Sequence, residues 1–320
     1  MGDIYPQLRR DPIVDRWVLI APERARRPTE LEEAGHLAHH EACPFCEGHE
    51  AETPHEVYAL RDADSSADGP GWRVRVVPNR FPAVGRDADS AYGVHEVLIE
   101  SPRHEASMAA LTAEQVRDVL TVYRHRLAEL QKDPRLAYVQ VFKNHGAAAG
   151  ASVEHAHSQI LGTALVPREV RAEFDAAAAY QSAHGRCVFC DLVEREISAG
   201  ERVVHAGEHV VAIVASAGRF PYETWLLPRR HSARYQQIGD AELNELAATM
   251  RTVLRRLATA AGDPAYNVIL HTAPAGDASQ FHWHWEVLPR TTGIAGYELS
   301  TGCYINTVPP EEAAARLRGV

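Results

Sequence analysis

Two stretches of this 320-residue chain carry apolar side chains at helical spacing, and strand-like runs flank both. In the first, Val116, Val119, Leu120, Tyr123, Leu127 and Leu130 make one stripe, and Thr112 with Gln115 forms a T-x-x-Q capping box before it. In the second, the stripe starts near Asp240 and runs through Leu243, Leu246, Met250, Leu254 and Leu257. The strand-like runs R-V-R-V-V-P and H-E-V-L-I-E-S-P-R-H precede the first helix, and A-Y-V-Q-V-F-K follows it. H-V-V-A-I-V-A and Y-E-T-W-L-L-P-R-R-H precede the second, and A-Y-N-V-I-L follows it.

The two copies share more than their order. A spacing of 127 residues separates Glu96 from Glu223, His104 from His231, His155 from His282, His157 from His284 and Gln159 from Glu286. The pattern therefore predicts an α+β chain holding one module twice, as two antiparallel-sheet halves each with a long helix. Strand character is lost in A-A-A-A-Y-Q-S-A-H-G, which sets domains at 1–178 and 179–320. The register fails at the cysteines, because Cys43 and Cys187 are 144 residues apart. The first half thus has extra residues after its cysteine pair, and the polar stretch Arg61–Pro70 reads as an exposed insertion there.

Composition narrows the function classes. Hydrophobic content of 45% and charged content of 24% are those of a soluble globular protein. A net charge of −10 argues against a general nucleic-acid or membrane-surface binder, while leaving room for a small anion held by local arginines. No run is long and apolar enough for a membrane span, and M-G-D-I-Y-P lacks an export pattern, so a cytoplasmic protein is expected.

Each half opens on a C-x-x-C, Cys43–Cys46 and Cys187–Cys190, which in a reducing compartment suits metal or redox use better than disulfides. Adding the histidines in register gives Cys43, Cys46, His104 and His155, then Cys187, Cys190, His231 and His282. Two thiolates and two imidazoles are a tetrahedral zinc set, so two zinc ions per chain are expected. The bland alternative is buried cysteines packing as small hydrophobes beside satisfied histidines. Repetition in register favours the metal. Cys303 has no comparable partner and is expected to be a packed thiol.

The two histidine pairs are not equivalent. In an extended strand His155 and His157 share a face, so His155 can bind metal while His157 meets a ligand beside it. Before them lies N-H-G-A-A-A-G-A-S, whose small residues let backbone N–H groups approach a phosphate, with the Ser152 hydroxyl at its end. A neutral histidine there can be a base, a ligand or a nucleophile. Gln159 carries no proton for acid catalysis, and its amide suits orientation and charge stabilisation. His282 and His284 lack this loop and are followed by Glu286, so that pair is expected to be structural.

With N-H-G-A-A-A-G-A-S before it, H-A-H-S-Q resembles the histidine-triad superfamily. It looks more closely like the transferase branch, galactose-1-phosphate uridylyltransferase and the ADP-sugar phosphorylases. The resemblance continues through W-V-L-I-A-P-E-R-A-R-R-P, C-P-F-C, V-P-N-R-F-P, both histidine pairs and G-I-A-G-Y-E-L. It implies a duplicated histidine-triad-like fold, a dimer, and double displacement with His157 as nucleophile and Gln159 bonding the nucleotidyl phosphate. It also implies nucleotide and phosphate contacts at Arg24, Arg27, Asn79, Phe81, Asn144 and Ser152, and sugar contacts at Tyr297 and Glu298. Family members with a metal in the second half often use a glutamate and histidines, and Cys187–Cys190 departs from that pattern. The substrates implied are a nucleoside diphosphate sugar and a sugar 1-phosphate, giving a UDP-glucose–hexose-1-phosphate uridylyltransferase of galactose metabolism. H-A-H-S-Q in place of H-P-H-G-Q, and Tyr304 where a glutamine is expected, keep an ADP-sugar phosphorylase as the alternative. A zinc-binding module without catalysis is the reading from another class, and it would have no need of the G-A-S loop.

Overall fold

The structure, a computed structural model, describes residues 6–26, 43–87, 91–105, 107–276 and 278–320. In chain order, strands β1 (Gln7–Arg10), β2 (Trp17–Ile20), β3 (Tyr58–Arg61), β4 (Trp72–Pro78) and β5 (Gly93–Ile99) lead to helix α1 (Ala113–Leu130). Strands β6 (Tyr138–His145) and β7 (His157–Thr163) follow, then helices α2 (Arg168–His184) and α3 (Val188–Ala199). The second copy continues with β8 (Val203–Ala206), β9 (Val210–Val214), β10 (Thr224–Pro228), α4 (Asp240–Ala261), β11 (Tyr266–His271) and β12 (His284–Pro289). The chain ends on α5 (Gly296–Thr301), β13 (Tyr304–Asn306) and α6 (Pro310–Arg318).

The two halves are continuous. Strands run in the order β3-β4-β5-β7-β6-β11-β12-β10-β9-β8, every neighbouring pair antiparallel. The order of the first five is mirrored by the last five about the β6–β11 seam. There Tyr266 stands opposite His145 and Asn267 opposite Asn144. Each half alone would leave an open strand edge at this point, and pairing satisfies both edges at once. The expected boundary at 178/179 falls inside α2.

Helix α1 forms where the pattern places it. Thr112 Oγ1 accepts from the Gln115 N–H, and the Gln115 side chain accepts from the Thr112 N–H. Its stripe, Val116 to Leu130, is buried with Leu243, Leu246, Met250, Leu254 and Leu257 of α4 in one apolar cluster. α1 and α4 thus pack together across one face of the seam and hold the halves in register. Burying each such side chain contributes roughly 1.5–3 kcal/mol, and Leu246→Ala in this fully covered position costs about 2–5 kcal/mol. The opposite face of the second half is covered by α3 through Phe189, Leu192 and Val193, which pack on Val211, Ile213 and Trp225. The Arg61–Pro70 stretch begins at the end of β3 and forms the loop into β4.

Candidate functional site

Both sets of cysteines and histidines come together. Ligand atoms of Cys43, Cys46, His104 and His155 lie within 4.8 Å of one another, as do those of Cys187, Cys190, His231 and His282. The first cysteine pair sits on a turn closed by the Cys46 N–H to the Cys43 carbonyl. The second sits at the start of α3, with Cys187 as its N-cap.

In each cluster one imidazole turns Nδ1 towards the thiols. His155 Nδ1 lies 3.6 Å from both Cys43 Sγ and Cys46 Sγ, while its Nε2 is 2.8 Å from the Ser101 carbonyl. A carbonyl only accepts, so the ring proton is on Nε2 and the Nδ1 lone pair faces the thiols. His282 repeats this, with Nε2 2.9 Å from the Pro228 carbonyl and Nδ1 3.6 Å from Cys190 Sγ. Ser101 and Pro228 are themselves 127 residues apart. Burial holds His155 down at about 4, the neutral form a metal requires. Burial and the neighbouring Cys43 push the Cys46 thiol up to about 11, so a cation is needed before both thiols ionise. The donor sets therefore fit a bound metal ion in each half.

His157 stands next to the first cluster. Strand β7 begins at His157, so His155 belongs to the segment before it rather than to one extended run. In that segment the Ala156 N–H bonds the Glu105 carbonyl, and His155 Nδ1 faces the two cysteines. His157 Nδ1 donates to the His155 carbonyl at 2.8 Å, which leaves the lone pair on Nε2. Phe45, between the two cysteines, packs on both rings at centroid distances of 6.0 and 5.5 Å. On the helix side of the sheet, buried Lys143 donates to the His157 carbonyl at 3.1 Å and to Glu100 at 2.9 Å. Burial, then the Lys143 charge, hold His157 below the usual histidine range, so it is neutral at pH 7.

The loop before His157 is held by the second half. Asn267 of β11 donates to Asn144 Oδ1 at 2.8 Å and to the Ala149 carbonyl at 2.9 Å. Gly146 has φ of +78°, and a Cβ there would stand 2.8 Å from that of Ala265. Glycine is needed at that position. Ser152 is exposed at the end of the loop, and Gln159, half-buried, meets His95 Nε2 through Oε1 at 2.8 Å.

The counterpart of His157 is differently placed. His284 Nδ1 reaches the His282 carbonyl at 3.1 Å, but its Nε2 faces Glu173 of α2 at 3.3 Å. Glu173 also bonds His271 Nδ1 at 2.7 Å, and His271 Nε2 lies 3.2 Å from Glu286, which pairs with Arg219. His271 takes the place that Asn144 has in the first half, one 127-residue step on. Burial alone would lower its pKa, but Glu173 and Glu286 outweigh that and hold it at about 10. The trio Glu173, His271 and His284 is thus knitted into an ion-pair network.

Other expected residues are placed less uniformly. Asn79 and Phe81 lie in the loop after β4, with the Phe81 N–H on Asn79 Oδ1 at 2.8 Å and the Phe81 ring 82% exposed. Arg24 and Glu298 line one cleft of about 1040 Å³, which His157 and Gln159 do not line. Tyr297 is exposed on α5, and Glu298 accepts from the Ala295 N–H. Arg27 lies outside the described residues. Cys303, expected as a packed thiol, is half-buried. His95, Lys143, Glu100, Glu173 and His271 escape a reading of the sequence. Alternation shows the face on which His95 and Lys143 lie, but not the strand that receives them.

The chain is similar to known proteins over nearly its whole length. Residues 83–167 match the N-terminal domain of galactose-1-phosphate uridyl transferase, and residues 173–319 match its C-terminal domain. The chain is 32% identical to the ADP-glucose phosphorylase of Arabidopsis thaliana, over 98% of this chain and 93% of that one. It is 29% identical to the galactose-1-phosphate uridylyltransferase of Haemophilus influenzae, over 99% and 95%. A crystal structure of the Arabidopsis thaliana ADP-glucose phosphorylase with bound ADP-glucose superposes with a TM-score of 0.87, at 33% identity and 99% coverage of both chains. A uridylyltransferase structure gives 0.77, at 28% identity and 98% and 97% coverage. No helix among the described residues is long and apolar enough to cross a membrane. With both domains matched and the duplicated sheet, helices and histidine segments all present, the chain belongs to the galactose-1-phosphate uridyl transferase family and is a nucleotidyltransferase of that family.

Proposed function

We propose that this protein moves a nucleotidyl group from a nucleoside diphosphate sugar to a phosphate-bearing acceptor through a covalent bond to His157. The observation that carries the reading is the His157 hydrogen bond to the His155 carbonyl, which leaves the lone pair on Nε2 as the nucleophile. In the first step Nε2 attacks the α-phosphorus and the bond to the β-phosphate oxygen breaks. The sugar 1-phosphate leaves with that electron pair. In the second step an acceptor phosphate oxygen attacks the same phosphorus, and the pair in the P–N bond returns to Nε2. Splitting the transfer this way replaces one difficult displacement with two easier ones. Asn144, Ser152 and the loop amides hold the phosphoryl oxygens, and Gln159 donates to them. Asn79 and Phe81 flank the nucleotide. A zinc ion in each half would be held by Cys43, Cys46, His104 and His155, and by Cys187, Cys190, His231 and His282, and would supply structural cross-linking there.

Two substrate pairs suit this mechanism. Structural similarity is greater to the ADP-glucose phosphorylase than to the uridylyltransferase, which favours an ADP-sugar with inorganic phosphate as acceptor. UDP-glucose with galactose 1-phosphate is the second reading, supported by uridylyltransferase relatives across the full length of the chain. Membership of an enzyme family sets aside the binding module without chemistry. The test is incubation with labelled ADP-glucose and UDP-glucose in turn. An acid-labile nucleotidyl-protein adduct is expected, discharged by phosphate in the first reading and by galactose 1-phosphate in the second. No adduct from either sugar nucleotide overturns the proposal.

A further inference from the structure

His95 of β5 makes contacts that decide which end of Gln159 faces outward. The Ala83 backbone N–H donates to His95 Nδ1 at 3.1 Å. A backbone amide nitrogen cannot accept, so Nδ1 carries the lone pair and the proton of the neutral ring is on Nε2. That nitrogen is 2.8 Å from Gln159 Oε1. Nε2–H therefore donates to the carboxamide oxygen, and the NH2 end of Gln159 is directed away from His95. The carboxamide alone could sit either way round, and one obligate backbone donor removes the ambiguity. Pairing of β5 with β7 makes the contact possible: Val97 is opposite Gln159 and His95 opposite Leu161, so His95 and Gln159 are diagonal neighbours on one face.

The same ring meets the loop after β4. Asn79 Nδ2 lies 3.2 Å from His95 Nε2, and its Oδ1 is taken by the Phe81 N–H. With Nε2 protonated, the Asn79 NH2 finds no acceptor in that ring. Two amide NH2 groups, of Asn79 and Gln159, therefore flank one histidine with donors to spare, which suits an anionic ligand rich in acceptor oxygens.

We infer that His95 is a positioning residue for nucleotidyl transfer, locking the Gln159 amide with its NH2 towards the transferred phosphoryl group and tying it to the Asn79–Ala83 loop. The inference rests on the proposed role of His157 and deepens it. His95 acts through Gln159 and touches no substrate in this scheme.

The test is a double-mutant cycle on single-turnover adduct formation from the labelled sugar nucleotide. Gln159→Ala is expected to slow the step by roughly 10²–10³-fold, the usual loss of one transition-state donor. His95→Ala is expected to slow it about 10–100-fold through the misplaced amide, with little change in half-saturating concentration. The double variant should be no slower than Gln159→Ala, because without the amide His95 has nothing to position. His95→Gln, which keeps an N–H donor, should recover part of the rate. Additive losses, or a full rate in His95→Ala, overturn the inference. Nitrogen-15 NMR of the histidine rings in the wild-type protein provides a readout independent of activity and of how the variants fold. An Nε2–H tautomer at His95, shifting in Gln159→Ala, is expected, and an Nδ1–H tautomer overturns the inference. If the wild-type protein forms no adduct, the nucleotidyl-transfer reading fails, and the NMR result still decides the hydrogen bond.

Discussion

Glu173 Oε1 stands 3.3 Å from Nε2 of His284, on the ring nitrogen whose counterpart in His157 is left without a carboxylate ion pair among the described residues. The two histidines otherwise match. Each bonds the carbonyl two residues back through Nδ1, and each packs against the phenylalanine of its C-x-F-C turn, Phe45 or Phe189. The connection between the halves thus supplies, through α2, the group that occupies the second histidine.

Removing the His157 ring should abolish turnover while sparing the fold. In His157→Ala the expected loss is on the order of 10⁴–10⁶-fold, the scale seen when a covalent nucleophile is deleted. Metal content and circular dichroism should match the wild-type protein. Turnover near the wild-type rate would remove His157 from the reaction.

About two metal ions should bind each chain. Cys43→Ser should lower that number by about one, and Cys187→Ser likewise at the other site, each with a lower melting temperature because the cross-link is lost. Elemental analysis of the purified protein checks the first statement, and melting curves with and without a chelator check the second. A metal-free protein with an unchanged melting temperature would contradict both.

Glu173→Gln should be a stability variant. It leaves the protonated His271 with one carboxylate fewer in a buried site, and breaking such a pair costs about 3–5 kcal/mol. Denaturant unfolding measures this. A shift under 1 kcal/mol would show that the network contributes little.

Stability should fall as the pH rises from about 6.5 to about 10. Across that window folded His271 keeps a proton that the unfolded chain releases, so its contribution is complete below the unfolded pKa and lost as pH passes the folded value. Unfolding free energies at pH 7 and pH 9.5 should differ more in the wild-type protein than in His271→Gln. Equal differences would remove His271 as the source.

Much of this was legible in the chain because repetition carries information that single motifs lack. Four histidines stand in register and a cysteine pair recurs in each half, so a Cys/His cluster assembled once by a duplicated module is assembled again. The helix stripes from Val116 to Leu130 and from Leu243 to Leu257 carried the period of an amphipathic helix, and both are buried. The nucleophile candidate was separable from its copy by the loop before it and by glutamine in place of glutamate.

By itself the sequence determined which residues recur, which faces are apolar and where small residues permit a phosphate, since these depend on spacing along one strand or helix. Only the tertiary structure decided that the two sheets join edge to edge at β6 and β11, because nothing local says which edges will meet. It also decided the partners. Glu173 is 111 residues from His284, and His95 is 64 from Gln159. Such contacts arise from packing and strand register, which bring together residues that no periodicity connects. The 127-residue repeat predicts two like scaffolds, the loop and Gln159 mark His157 as the unlike copy, and the folded chain adds the Glu173 contact to His284.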